Sequence, residues 1–258
     1  MPGVTDLTQA VDAHGATERV PVLLEQVERA ETTEAWDELW DRLCLHGETV
    51  SSAGFAALPR LATLAPRSDQ ALELAGAIMR CVLQYHDGEA LIEECADVIA
   101  TLRELADQRL RTRPSDYHRV FCDLLAFAGQ YHWSAALGDF TDDFYTVCCP
   151  HCDVEVTIGI GDYGHYSAIR DWDLGDVEQR VLRPAPTEEL LDPGRWMHAT
   201  AVRDGELRLA EGIRHLFGRA ECPRCASMFG IAEAYTVANL PPASEAQLPV
   251  RAAVSGLP

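Results

Sequence analysis

The sequence predicts an α+β chain: stacked helix pairs over residues 1–140, a small β module with a helical insertion over 141–240, and a loosely held tail over 241–258. Three observations predict it. Apolar residues recur at three- and four-residue spacings from about residue 18 to 140, broken by short Gly, Asp or Pro punctuation. Beyond 140 the pattern changes to short strand-like runs, Phe144–Val147 and Val154–Ile158. Two Cys-Pro-x-Cys turns, Cys149–Cys152 and Cys222–Cys225, sit beside such runs.

In the first half the spacing predicts six helices, over 18–30, 33–45, 51–65, 68–85, 89–112 and 115–137. Thr33 is an N-cap candidate, Asp87–Gly88 separates two helices, and Arg113–Pro114–Ser115 restarts another, because proline is tolerated in a first turn. Pro59 falls inside the third helix and predicts a kink. Self-comparison adds a repeat. Leu45–His46–Gly47, Tyr85–His86–Asp87–Gly88 and Tyr131–His132–Trp133 each read as the close of a helix, with the histidines 40 and then 46 residues apart. Two helices in such a period are the signature of HEAT or armadillo stacks, the other arrangement being an irregular helical bundle.

The run Trp36–Asp37–Glu38–Leu39–Trp40–Asp41–Arg42–Leu43–Cys44–Leu45–His46–Gly47, with Ser51–Ser52 and Ala56–Leu61 after it, resembles the opening of uncharacterised HEAT-like proteins of high-GC actinobacteria. The likeness covers roughly residues 33–135 and implies a HEAT-like helical fold without an activity.

The repeated histidines have two readings. A histidine at a helix C-terminus caps carbonyls and complements the dipole. Equivalent positions in successive repeats would instead gather His46, His86 and His132 along one edge, with Trp36, Trp40, Tyr85, Tyr131 and Trp133 forming an aromatic binding surface. Trp36 and Trp40 share a helix face, where core packing competes with that role.

In the second half, two Cys-x-x-Cys turns each present a thiolate pair, and together they complete a tetrahedron. Cys149, Cys152, Cys222 and Cys225 are therefore the expected ligands of a structural Zn²⁺, closed to an activated water. A redox dithiol, or Cys148 or His151 in place of one ligand, are the alternatives. The long insertion between the turns departs from a simple zinc ribbon. Within it, helices are expected over 187–202 and 206–216. Gly159–Ile160–Gly161–Asp162–Tyr163–Gly164 matches a dinucleotide fingerprint in letters, yet no amphipathic helix follows it, so a hairpin turn is expected. Cys44, Cys81, Cys95 and Cys122 lie in apolar helical contexts and read as buried thiols.

The chain carries 41 acidic residues against 21 basic ones, all arginine, for a net charge of −20. Without lysine, Schiff-base and P-loop lysine chemistry are excluded. Neither half offers a basic surface, so nucleic acid is not expected as a partner. No secretory signal or membrane-spanning run is visible, which predicts a soluble cytoplasmic protein. Two functions remain. One is a non-catalytic scaffold or immunity-type protein whose acidity attracts a basic protein partner. The alternative is a small-molecule, natural-product enzyme with a pocket on the helical domain, its acid/base groups drawn from His46, His86, His132, Asp37, Asp41 and Asp87.

Overall fold

A computed structural model describes residues 7–30, 32–45, 49–82, 88–138, 144–162, 164–171, 175–176 and 178–239. Tertiary contacts divide the chain into two units, Met1–Asp142 with Ala199–Glu206, and Asp143–His198 with Leu207–Pro258.

The described part of the first unit is built from helices α1 (Arg19–Arg29), α2 (Thr33–Leu43), α3 (Ser52–Leu64), α4 (Asp69–Arg80), α5 (Gly88–Glu94), α6 (Ala96–Arg111), α7 (Tyr117–Phe127) and α8 (Tyr131–Gly138). A two-residue ladder joins β1 (Cys44–Leu45) to β2 (Thr49–Val50). Helix α1 buries Val20, Leu23, Leu24 and Val27, the i, i+3, i+4, i+7 stripe of an amphipathic helix. Neighbours pack in sequence, α1 on α2 and α3 on α4, while α7 packs on α4, α6 and α8. Helices α4 and α7 form the centre, and nearly every residue of α7 is buried.

Two of the expected helices are broken. The 89–112 segment divides at Cys95, which leaves helical geometry at φ −96°, ψ 10°. The 115–137 segment divides at Gly129 (φ +73°): its N–H donates to Ala126 O at 3.0 Å and the Gln130 N–H to Leu125 O at 2.8 Å. Those paired bonds around a left-handed glycine close α7. Tyr131–His132–Trp133 consequently opens α8 rather than ending a helix.

Charges tie this unit together. Glu38 lies between Arg19 of α1 and Arg42 of its own helix, and the Arg19 guanidinium, foremost, holds its carboxyl down at about 2. Arg42 also donates to the buried Asp12 at 2.7 Å. Asp123 of α7, 1% exposed, pairs with Arg80 of α4, and its carboxylate occupies the space a Cβ on Gly76 would need. At the far end, Tyr117 donates to Asp204 at 2.8 Å, and Arg203 bridges Asp204 to Asp107 at 2.7 Å each. These bonds explain why 199–206 belongs with the helices rather than with the 141–240 segment in which the sequence places it.

In the second unit β3 (Phe144–Cys148), β4 (Glu155–Gly161), β5 (Gly164–Ala168) and β8 (Arg180–Val181) form an antiparallel sheet in the order β3-β4-β5-β8. β6 (Arg170–Asp171) pairs antiparallel with β7 (Gly175–Asp176), and a short hairpin joins β9 (Arg219–Glu221) to β10 (Met228–Gly230). Helix α9 spans Gly194–Asp204, of which only Gly194–His198 belongs to this unit; α10 spans Leu207–Leu216 and α11 Ile231–Asn239. The second unit's core is made where α10 packs on β4 and α11 on β3, with Tyr145 and Tyr235 edge-to-face at 5.4 Å. The expected 187–202 helix becomes a 3-10 turn at Thr187–Glu189 and α9, because Pro193 has no N–H for a helix interior and suits a helix start.

Candidate metal centre

The two Cys-Pro-x-Cys turns sit at the tips of the β3–β4 and β9–β10 hairpins, and they share one backbone pattern. The N–H of the first cysteine donates to the carbonyl five residues on, Cys149 to Val154 and Cys222 to Ser227, both at 2.9 Å. The residue after the second cysteine donates back, Asp153 to Cys149 O and Ala226 to Cys222 O, again at 2.9 Å. Both of those residues are left-handed, with φ 57° at Asp153 and 58° at Ala226. An alanine in that region costs about 1–2 kcal/mol, so the second turn is held against its local preference.

Each turn presents two thiols from one side, and the hairpins face each other. Sγ of Cys149 lies 3.8 Å from that of Cys225, and Sγ of Cys152 lies 3.7 Å from that of Cys222. All four lie within 4.8 Å of one another. A tetrahedron with metal–sulfur bonds of about 2.3 Å has edges of about 3.8 Å; the two cross-hairpin pairs match that edge, and all four thiols are close enough together to hold a metal ion. No cysteine is in a disulfide. Hydrogen bonds from Ser227 draw the Cys225 thiol down to about 6. The Val154 N–H favours a Cys152 thiolate, but desolvation and the neighbouring thiols outweigh it and push that thiol up to about 12. Crowded thiols resist successive ionisation, and a divalent cation removes that opposition, so binding releases protons.

Cys148 and His151 stand beside the site but outside the cluster. Ser227 and Ala226, which shape the second turn, carry no signature in the sequence beyond their position after Cys225.

The other expected site residues are scattered. His46, Tyr85, His86 and Asp87 lie outside the described residues. Trp36 is 1% exposed and packs in the helical core, so it does not line a surface, and Trp40 is half-buried. Trp133 is also buried, and His132 meets it edge-on at 4.8 Å. Burial lowers the His132 pKa and raises that of Tyr131. Asp37 is exposed. Asp41 does pair with a histidine, but its partner is His14, 2.6 Å away with both side chains about half exposed.

The glycine-rich segment forms the β4–β5 hairpin, with Gly161 opposite Gly164. One residue along, His165 stacks on His215 of α10 at 3.8 Å and 7° between planes. His215 is 6% exposed and its Nδ1 lies 3.0 Å from Glu211 O. Burial foremost, then the His165 and Arg214 charges, lower the His215 pKa below its ordinary 6.5, against the pull of Glu211. Between that lowered value and 6.5 the unfolded chain binds a proton that the folded chain refuses, so stability is lost as pH falls below 6.5. The urea midpoint is expected to drop from about pH 7 to 5.5, and His215→Gln to flatten the slope. An unchanged slope in the variant assigns the loss to other groups.

Comparison with protein-family models, curated proteins and solved structures finds no match for this chain. Its fold and site define a two-unit α+β protein with a four-cysteine centre that can hold a metal ion. Among the described residues, no helix is long and apolar enough to cross a membrane.

Proposed function

We propose that this is a non-catalytic binding protein, of scaffold or immunity type, in which Zn²⁺ on Cys149, Cys152, Cys222 and Cys225 braces the second unit and an acidic HEAT-like helical unit engages a basic protein partner. The four-thiol donor set carries the structural half. Soft tetrahedral sulfur suits zinc, and four protein ligands leave no coordination position for substrate. The zinc supplies folding free energy by joining hairpins that are distant in sequence.

The charge pattern supports the partner. In the first unit Arg19, Arg42, Arg60, Arg80, Arg109 and Arg119 are engaged with carboxylates of the same chain, which leaves the surplus of acid in a net −20 to act outward. Such a surface speeds encounter with cationic proteins and is screened by salt.

An immobilised full-length chain is expected to retain a basic protein from its native extract at low salt and release it as salt rises. Free chain should compete for that protein, whereas polyglutamate of matched charge should not. Equal competition by polyglutamate, or no retention, overturns the partner reading.

A further inference from the structure

The second unit contains a cavity of about 570 Å³ beside the β9–β10 hairpin, walled by Arg183, Glu189, Phe217, Arg219, Phe229 and Glu233. Its walls are set by close backbone approach. A Cβ on Gly218 would come within 3.1 Å of both Arg214 O and Ala185 N, so the 183–185 segment lies directly on that glycine. Phe217 fills the space over Gly194 in the same way, and the Glu233 carboxylate covers Gly230.

Arg183 and Arg219 are the unusual feature. They face each other across an isolated antiparallel bridge, exchanging backbone hydrogen bonds of 2.9 and 2.8 Å. Residues directly opposite in such a pair project their side chains to the same face, and like charges there are destabilising. Both side chains are exposed and both line the cavity. Neither forms an ion pair with a described residue, although carboxylates outnumber guanidinium groups about twofold in this chain. Two arginines paired in this bridge and both lining the cavity can supply donors to one anion, and a planar carboxylate accepts from guanidinium groups with good geometry. The rest of the lining narrows the class. Glu189 and Glu233 repel a dianion, and the half-buried ring of Phe217 adds one apolar contact to a mostly polar lining.

We infer that this cavity binds a small monocarboxylate, its carboxylate held between Arg183 and Arg219. The site is separate from the four-thiol centre and from the partner surface of the helical unit.

The test is calorimetric titration of the full chain with 3-phenylpropionate, its neutral amide and inorganic phosphate. The acid is expected to bind at millimolar or lower concentration, and the amide and phosphate at least about tenfold more weakly. Arg183→Gln and Arg219→Gln should each weaken the acid about tenfold, while Arg103→Gln, at an exposed position of α6, changes nothing. Each cavity variant should also melt at or above the parent temperature without ligand, since it relieves the like-charge opposition. Absence of acid binding, equal binding of acid and amide, tighter binding of phosphate, or an undiminished affinity in both arginine variants overturns the inference. A lowered melting temperature in both variants overturns it as well, because it makes the arginines structural.

Discussion

Replacing Cys222 by serine is expected to abolish metal binding and unfold the second unit. Cys222 is fully buried, its sulfur lies 3.7 Å from that of Cys152, and a serine hydroxyl does not supply the thiolate that completes the tetrahedron. Structural zinc contributes an apparent free energy of about 10–16 kcal/mol in small zinc-folded peptides. Losing even part of that is comparable with the roughly 5–15 kcal/mol that keeps a domain folded. The parent chain should carry about one zinc per molecule by elemental analysis. Its four clustered thiols should resist a thiol reagent until a chelator is added. Cys222→Ser should lose the metal, the protection and the thermal transition of the second unit together. Cys148→Ser, one residue from the cluster and exposed, should keep all three. A Cys222→Ser protein with its metal and transition intact would falsify the four-cysteine site, whereas iron in place of zinc overturns only the identity of the ion.

The second large effect belongs to the centre of the helical unit. Asp123→Ala leaves Arg80 half-enclosed between α4 and α7 without its carboxylate, and burial already weakens that guanidinium's hold on its proton. Breaking such a pair from one side costs about 3–5 kcal/mol, whereas replacing both partners by apolar groups of similar volume is often neutral. Urea denaturation should therefore show Asp123→Ala strongly destabilised and Arg80→Met/Asp123→Leu much less so. Gly76→Ala gives an independent check, because the new methyl meets the Asp123 carboxylate. Its cost should shrink in the Asp123→Ala background, as expected for groups that share one space. A loss under about 1 kcal/mol for Asp123→Ala places the pair outside the stabilising core.

Much of the secondary structure was legible residue by residue. The α1 stripe, the strand runs flanking Cys149 and Cys152, and the hairpin at Gly161–Gly164 all follow from spacings within a few positions. The misses have equally local causes. Gly129 is a C-terminal cap signal inside an otherwise continuous apolar pattern, and Pro193 a helix-start signal inside another. The break at Cys95 carries no such signal. Trp36 shows the limit of a face argument: spacing places it on a stripe with Leu39 and Leu43, but only packing decides whether that stripe meets protein or water.

The sequence alone determined that four cysteines come as two preformed pairs, because a two-residue spacing in a hairpin tip presents both thiols from one side. Tertiary structure decided that those pairs meet, that Arg183 opposes Arg219, that Asp123 neutralises Arg80, and that 199–206 joins the helices through Asp204 and Arg203. The division has one physical reason. Periodicity and turn chemistry act over a few residues, whereas these partners lie tens of residues apart, brought together by chain topology and held by desolvated charge and packing.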